Sequence, residues 1–200
     1  DNDSVSVIAV TKYVEISIAE ALLPLGVYHI GENRVDKFLE KYNALKDYNL
    51  TWHLIGTLQR RKVKDVINYV DYFHALDSLK LAEEIQKRSN RVVKCFIQVN
   101  ISQEESKHGF SKEGLLDSLP ALASLDNIEY VGLMTMAPFE ASSEELNKIF
   151  KATQDLQLEI REKQIPNMPM MDLSMGMSRD YKEAINHGST FVRIGTAFFK

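Results

Sequence analysis

Short runs of β-branched and aliphatic residues alternate along this chain with longer segments whose apolar residues recur at helical spacing. The first run, Val5-Ser6-Val7-Ile8-Ala9-Val10-Thr11-Lys12, is followed by a helix pattern over 16–25, with Gly26 as its stop. A second strand, 27–30, leads into Gly31-Glu32-Asn33 and a helix over 35–45. A third over 51–56 precedes a helix over 60–69, and a fourth over 72–77 leaves Ser78 placed to cap a helix reaching about Ser89. Further strands are expected over 92–101, 130–136, 171–174 and 191–198, separated by amphipathic helices over 112–125, 144–163 and 180–187.

Near-continuous apolar strands in alternation with amphipathic helices predict an all-parallel sheet covered by helices. Eight such units predict an α/β fold, a closed (β/α)8 TIM barrel, with a doubly wound open sheet as the alternative. The whole of 1–200 reads as a single domain. Such barrels run to about 250 residues, so the loops here are expected to be short. The chain opens almost directly on its first strand and ends on its eighth. The expectation is a barrel lacking an N-terminal helix over the seam.

Composition narrows the function little. A hydrophobic share of 44% and a charged share of 26% belong to an ordinary globular domain, and no apolar run approaches a membrane span. The net charge of −4, with acids and bases intermixed, argues against a nucleic-acid binder. No secretory signal opens the sequence, and the single Cys95, in an apolar run, reads as a buried, inert thiol. Together these predict a cytoplasmic protein. The five histidines show no paired metal-ligand spacing, and Arg60-Arg61-Lys62 reads as the solvated face of an outer helix.

Candidate chemistry lies where barrels carry it, at the carboxyl ends of the strands. Strand one ends on Lys12, a lysine closing an otherwise apolar run. A lysine near apolar walls and another cation has a lowered pKa, and its neutral amine attacks aldehydes. Strand seven runs into Ser174-Met175-Gly176-Met177-Ser178, and strand eight carries Arg193-Ile194-Gly195-Thr196. Both are small-residue turns whose N–H groups suit a phosphate, and a helix beginning near Arg179 would present its amino end to the same place. Arg193 interrupts an apolar strand, so it needs either an internal ion pair or a ligand. Asn33 serves either a ligand or the next helix. An aldehyde-reactive lysine, a phosphate cup and an intervening arginine suit pyridoxal 5′-phosphate (PLP), with a Schiff-base sugar-phosphate aldolase as the rival.

Several stretches, in order, resemble the pyridoxal phosphate homeostasis protein family (YggS/PROSC), which is related to the barrel domain of alanine racemases. They are Ala9-Val10-Thr11-Lys12, Ile30-Gly31-Glu32-Asn33, Trp52-His53-Leu54-Ile55-Gly56, Ser174-Met175-Gly176-Met177-Ser178 and Val192-Arg193-Ile194-Gly195-Thr196-Ala197. The resemblance implies a fold like the alanine racemase N-terminal domain, with Lys12 forming the Schiff base with PLP. It implies Arg193 facing the pyridine nitrogen, Ser178, Gly195 and Thr196 holding the phosphate, and Asn33, His53 and Met175 lining the pocket. After Leu58-Gln59, where many relatives have a small residue and then Asn-Lys, this chain has Arg60-Arg61-Lys62.

An arginine opposite the pyridine nitrogen makes the ring a weak electron sink. Racemases tolerate this but require a second acid–base group on the opposite face. In alanine racemases a second domain supplies it, and this chain has no room for one. The expectation is therefore a monomeric protein of intracellular PLP (vitamin B6) homeostasis and carriage, with PLP-dependent apoenzymes as recipients and no catalytic residue. A PLP-dependent racemase-like enzyme is the alternative.

Overall fold

The computed structural model describes residues 5–10, 16–102 and 108–195. Eight parallel strands close a barrel in sequence order: β1 Ser6–Val10, β2 His29–Glu32, β3 Thr51–Leu54, β4 Tyr72–Leu76, β5 Val93–Gln98, β6 Ile128–Met134, β7 Asp172–Met177 and β8 Phe191–Gly195. The seam is a full ladder, with Ser6 beside Phe191 and Val10 beside Gly195. The closed barrel is thus the fold, and the open sheet is set aside. Helices α1 Ile16–Leu22, α2 Val35–Leu45, α3 Val63–Val66, α4 Leu79–Arg88, α5 Lys112–Ala123, α6 Ser143–Glu162 and α7 Tyr181–Asn186 fall in the expected order.

Local chemistry explains where the boundaries fall. Gly26 ends the first helical segment in the left-handed region at φ 77°, after a 3-10 turn over Leu23–Leu25 that Pro24 initiates. Ser78 Oγ accepts the Leu81 N–H and starts α4, while Ser111 and Ser142 do the same for α5 and α6. The continuous helix expected over 60–69 is instead a 3-10 turn, the short α3 and a second 3-10 turn. Its β-branched Val63, Val66 and Ile67 are poor helix formers, yet all three are buried. Burial, not propensity, holds that segment to the barrel. The fifth strand ends at Gln98 and not at Ile101, since Asn100 N and Phe110 N turn to bond Phe110 O and Gln98 O.

Two ladder irregularities set up the barrel mouth. The β4–β5 register shifts between Phe73 and Leu76, and the β7–β8 register between Ser174 and Met177. Strand residues normally alternate between barrel interior and helix layer. At these shifts Ala75 follows the inward-facing His74 yet also points inward, and Gly176, at φ 101°, re-aims Met177. No helix among the described residues is long and apolar enough to cross a membrane.

Candidate functional site

A cavity of about 840 Å3 opens at the carboxyl ends of the strands. Val10, Glu32, Gln98, Met134, Met177 and Gly195, each the last residue of its strand, line it together with Asn33, Ser178, Arg179 and Arg193. This is the end of a (β/α)8 barrel at which ligands bind.

Arg193 forms part of its wall. The side chain is buried, and Nη2 donates to the Thr135 carbonyl at 3.0 Å. Burial pushes its pKa down to about 10, with Asp180 pulling the other way, so the guanidinium stays charged at neutral pH. Its Nε is fully buried and has no hydrogen-bond partner. An unspent buried donor normally costs about 1–3 kcal/mol, so a ligand acceptor is the natural complement here. Of the two sequence readings of Arg193, the internal ion pair is not formed with any described carboxylate.

Ser178 and Gly195 meet across the mouth, the Gly195 N–H pointing at Ser178 Oγ over 3.4 Å. The helix expected to present its amino end here is short. Helix α7 has only six residues and starts behind the buried Asp180, whose carboxylate accepts the Met177 N–H at 2.6 Å. Lys12 and Thr196 lie outside the described residues; they follow Val10 and Gly195, both on the cavity wall, by two positions and one.

Asn33 stands on the wall, held by a buried ion pair behind it. Glu32 Oε1 accepts the Asn33 N–H at 2.9 Å, and Glu32 Oε2 pairs with Lys41 Nζ at 3.0 Å, the lysine reaching up from α2. Desolvation lowers the Lys41 pKa, and the Glu32 carboxylate opposes that.

His53 and Met175 do not line the cavity. Met175 faces the helix layer and packs in the hydrophobic core, because Ser174 before it faces inward. The bulge at Gly176 gives its expected place on the wall to Met177. His53 points into the barrel, but two residues before Ile55 on the cavity wall, about 7 Å lower at strand rise.

There His53 belongs to a chain of side chains crossing the barrel. His29 Nδ1 meets His53 Nε2, His53 Nδ1 meets His74 Nε2, and His74 Nδ1 meets Ser174 Oγ, each at 2.8 Å. Ser174 has no other described partner, so satisfying its buried proton makes it the donor to His74. His74 and His53 then each donate from Nε2 to the next ring, His29 accepts at Nδ1, and all three rings are neutral. Desolvation keeps the His53 and His74 pKa values well below the ordinary range, helped for His53 by its two imidazole neighbours and for His74 by Arg193.

The sign follows for stability. Both rings bind protons more weakly folded than unfolded, so their contribution is complete above the unfolded value near 6.5 and is lost as pH falls below it. The loss between pH 7 and pH 5 is at most about 2 kcal/mol per histidine. Urea unfolding at the two pH values should show it, and His53→Gln should roughly halve the acid-dependent part. An unchanged pH slope in that variant would refute the assignment.

The sequence reading missed Arg179, Thr135 and Phe139. Arg179 stood beside the Ser178 turn, and its position there was the available signal. Thr135 acts through its backbone, which composition cannot disclose. The described residues contain no cluster of His, Cys, Asp and Glu placed for a metal ion.

Comparison with known proteins places these features in context. A family model described as "Alanine racemase, N-terminal domain" matches residues 4–200. The chain is 40% identical over 192 residues to the pyridoxal phosphate homeostasis protein of Aquifex aeolicus, covering 94% of this chain and 83% of that one. Among solved structures it resembles PipY of Synechococcus elongatus without PLP, with a TM-score of 0.92 at 34% identity over 99% of this chain and 94% of that one. PipY with PLP bound gives a TM-score of 0.89 at 33% identity, over 98% and 93%.

Proposed function

Because this chain belongs to the pyridoxal phosphate homeostasis protein family, built on the alanine racemase N-terminal domain, we propose that it binds pyridoxal 5′-phosphate in the strand-end cavity. The role is to hold and hand over the cofactor in the cytoplasm, to PLP-dependent apoenzymes among other recipients, and the protein acts as a monomer. One observation carries the reading: the buried, unpartnered Nε of Arg193 on the wall of the cavity. A pyridine nitrogen is an acceptor that this donor can satisfy. The Ser178–Gly195 turn suits the phosphate, Asn33 a polar group on the ring, and the Lys12 amine the aldehyde. When bound, the ligand supplies an aldehyde that condenses reversibly with amines.

The wall chemistry favours carriage over catalysis. Arg193 keeps its proton to about pH 10, so it donates to the ring nitrogen without protonating it. Racemisation needs two acid–base groups flanking the reacting carbon. Among the described wall residues the one carboxylate is Glu32, already engaged by Lys41 and the Asn33 N–H.

The test is a visible-absorbance titration of the ligand-free protein with PLP, and with pyridoxal to remove the phosphate. Saturable colour with PLP, and weaker uptake of pyridoxal, is expected. A protein that stays colourless, yet is labelled by a sugar phosphate on borohydride reduction, would make it an aldolase. Deuterium incorporation at the α-carbon of alanine would move the reading to a racemase-like enzyme.

A further inference from the structure

Arg179 spans the cavity mouth in a way that the cofactor reading leaves unused. Its guanidinium leaves the β7 turn and crosses toward the loop after β6. There Nη2 donates to the Ala137 carbonyl at 3.2 Å, and the guanidinium carbon sits 4.5 Å from the centroid of the Phe139 ring. The nearest described carboxylate oxygen, Asp180 Oδ2, is 3.9 Å from Nε, too far for a hydrogen bond, and the other Asp180 oxygen holds the Met177 N–H. Most of the five N–H donors of this group therefore have no described partner. The side chain is 35% exposed, so it is braced by loop and ring but open to the cavity.

We propose that Arg179 is the carboxylate-reading residue of the cavity mouth, selecting α-amino carboxylates as the amines that release the cofactor. The inference rests on the reading of this cavity as a PLP site. A planar guanidinium fixed at one edge presents a fork that matches a carboxylate and has no counterpart in a simple amine. Its direction separates it from the phosphate seat: the Ser178–Gly195 contact lies between β7 and β8, whereas Arg179 reaches toward β6. Phe139, 77% exposed, and Met136 offer the same rim an apolar surface that suits a small aliphatic side chain. In the exchange, the incoming nitrogen bonds to the aldehyde carbon as that carbon's bond to Lys12 Nζ breaks. The two protons of the incoming amine end on Nζ, so no further reactant is required.

The experiment compares L-alanine with propan-2-amine as agents that discharge the visible band of the PLP-loaded protein, in wild type, Arg179→Ala and Arg179→Lys. Taking the ratio of the two half-effective concentrations cancels their intrinsic difference between variants. Wild type should favour alanine about tenfold more than Arg179→Ala does, a size set by the partial exposure of the charge, with Arg179→Lys between. A second readout needs no cofactor: propionate added to the ligand-free protein should shift the Arg179 Nε–Hε resonance, identified by its loss in Arg179→Lys. A ratio unchanged in Arg179→Ala, or a resonance that propionate leaves in place, overturns the proposal. Weaker binding of PLP, with pyridoxal unaffected, would assign the guanidinium to the phosphate and also overturn it. If wild type takes up no PLP, the cofactor reading fails, and the propionate titration still decides the carboxylate site.

Discussion

Lys12→Ala will leave the chain colourless in the presence of pyridoxal 5′-phosphate while its thermal unfolding stays close to that of wild type. The cavity wall includes no described lysine, so the amine that meets the aldehyde must come from a neighbouring segment. Lys12 follows Val10, a wall residue at the end of β1, by two positions, and two residues of chain span at most about 7 Å. Lys41, the one buried lysine among the described residues, is engaged by its ion pair with Glu32. The contacts proposed for Arg193 and the Ser178–Gly195 turn are left intact by the substitution. Noncovalent binding should therefore persist, weakened by roughly a hundredfold, or ~2.7 kcal/mol. Lys12→Arg separates charge from nucleophile: it keeps the positive charge but has no amine to condense, so it too should be colourless. Lys107, in the segment after β5, is the control. A visible band retained in Lys12→Ala and lost in Lys107→Ala would move the attachment point.

Hydrophobic patterning carried the fold because each strand is buried on both faces and each helix on one, a difference of period that survives without structural context. Helix α2 was legible to the residue, since its helical spacing of apolar residues is interrupted on the inner face only by Lys41 and β2 ends just before it. The segment over 60–69 was not, because its helical pattern and its β-branched composition conflict and packing resolves the conflict. At the site, the arginine in an apolar strand and the small-residue turns were visible as local anomalies. His53 and Met175 were misplaced for a geometric reason. Depth along a strand and the extra residue of a bulge decide whether a side chain reaches the mouth, and neither has a sequence signature. The partnership of Glu32 with Lys41 also escaped, since it joins a strand end to the middle of a helix otherwise read as amphipathic.

That ion pair yields the largest stability effect expected outside the core. Lys41 sits on the inner face of α2 between Phe38 and Leu45, fully buried, where an apolar residue would ordinarily stand. Replacing it by Met removes a desolvated ammonium but strands the Glu32 carboxylate, whose side chain is only 11% exposed. Breaking one side of a buried pair costs about 3–5 kcal/mol. For a domain of this size that lowers the melting temperature by roughly 6–20 °C, at about 2–4 °C per kcal/mol. The double variant Glu32→Gln with Lys41→Met should recover most of the loss, because the glutamine oxygen still accepts the Asn33 N–H and neither buried charge remains. Ligand affinity distinguishes the two roles of the pair. In Lys41→Met the orphaned carboxylate faces the cavity and repels an anionic phosphate ligand, so PLP binding should weaken along with stability. In the double variant both should return together. If melting recovers while affinity does not, Lys41 reaches the ligand through its charge, and Glu32 is more than a strut for Asn33.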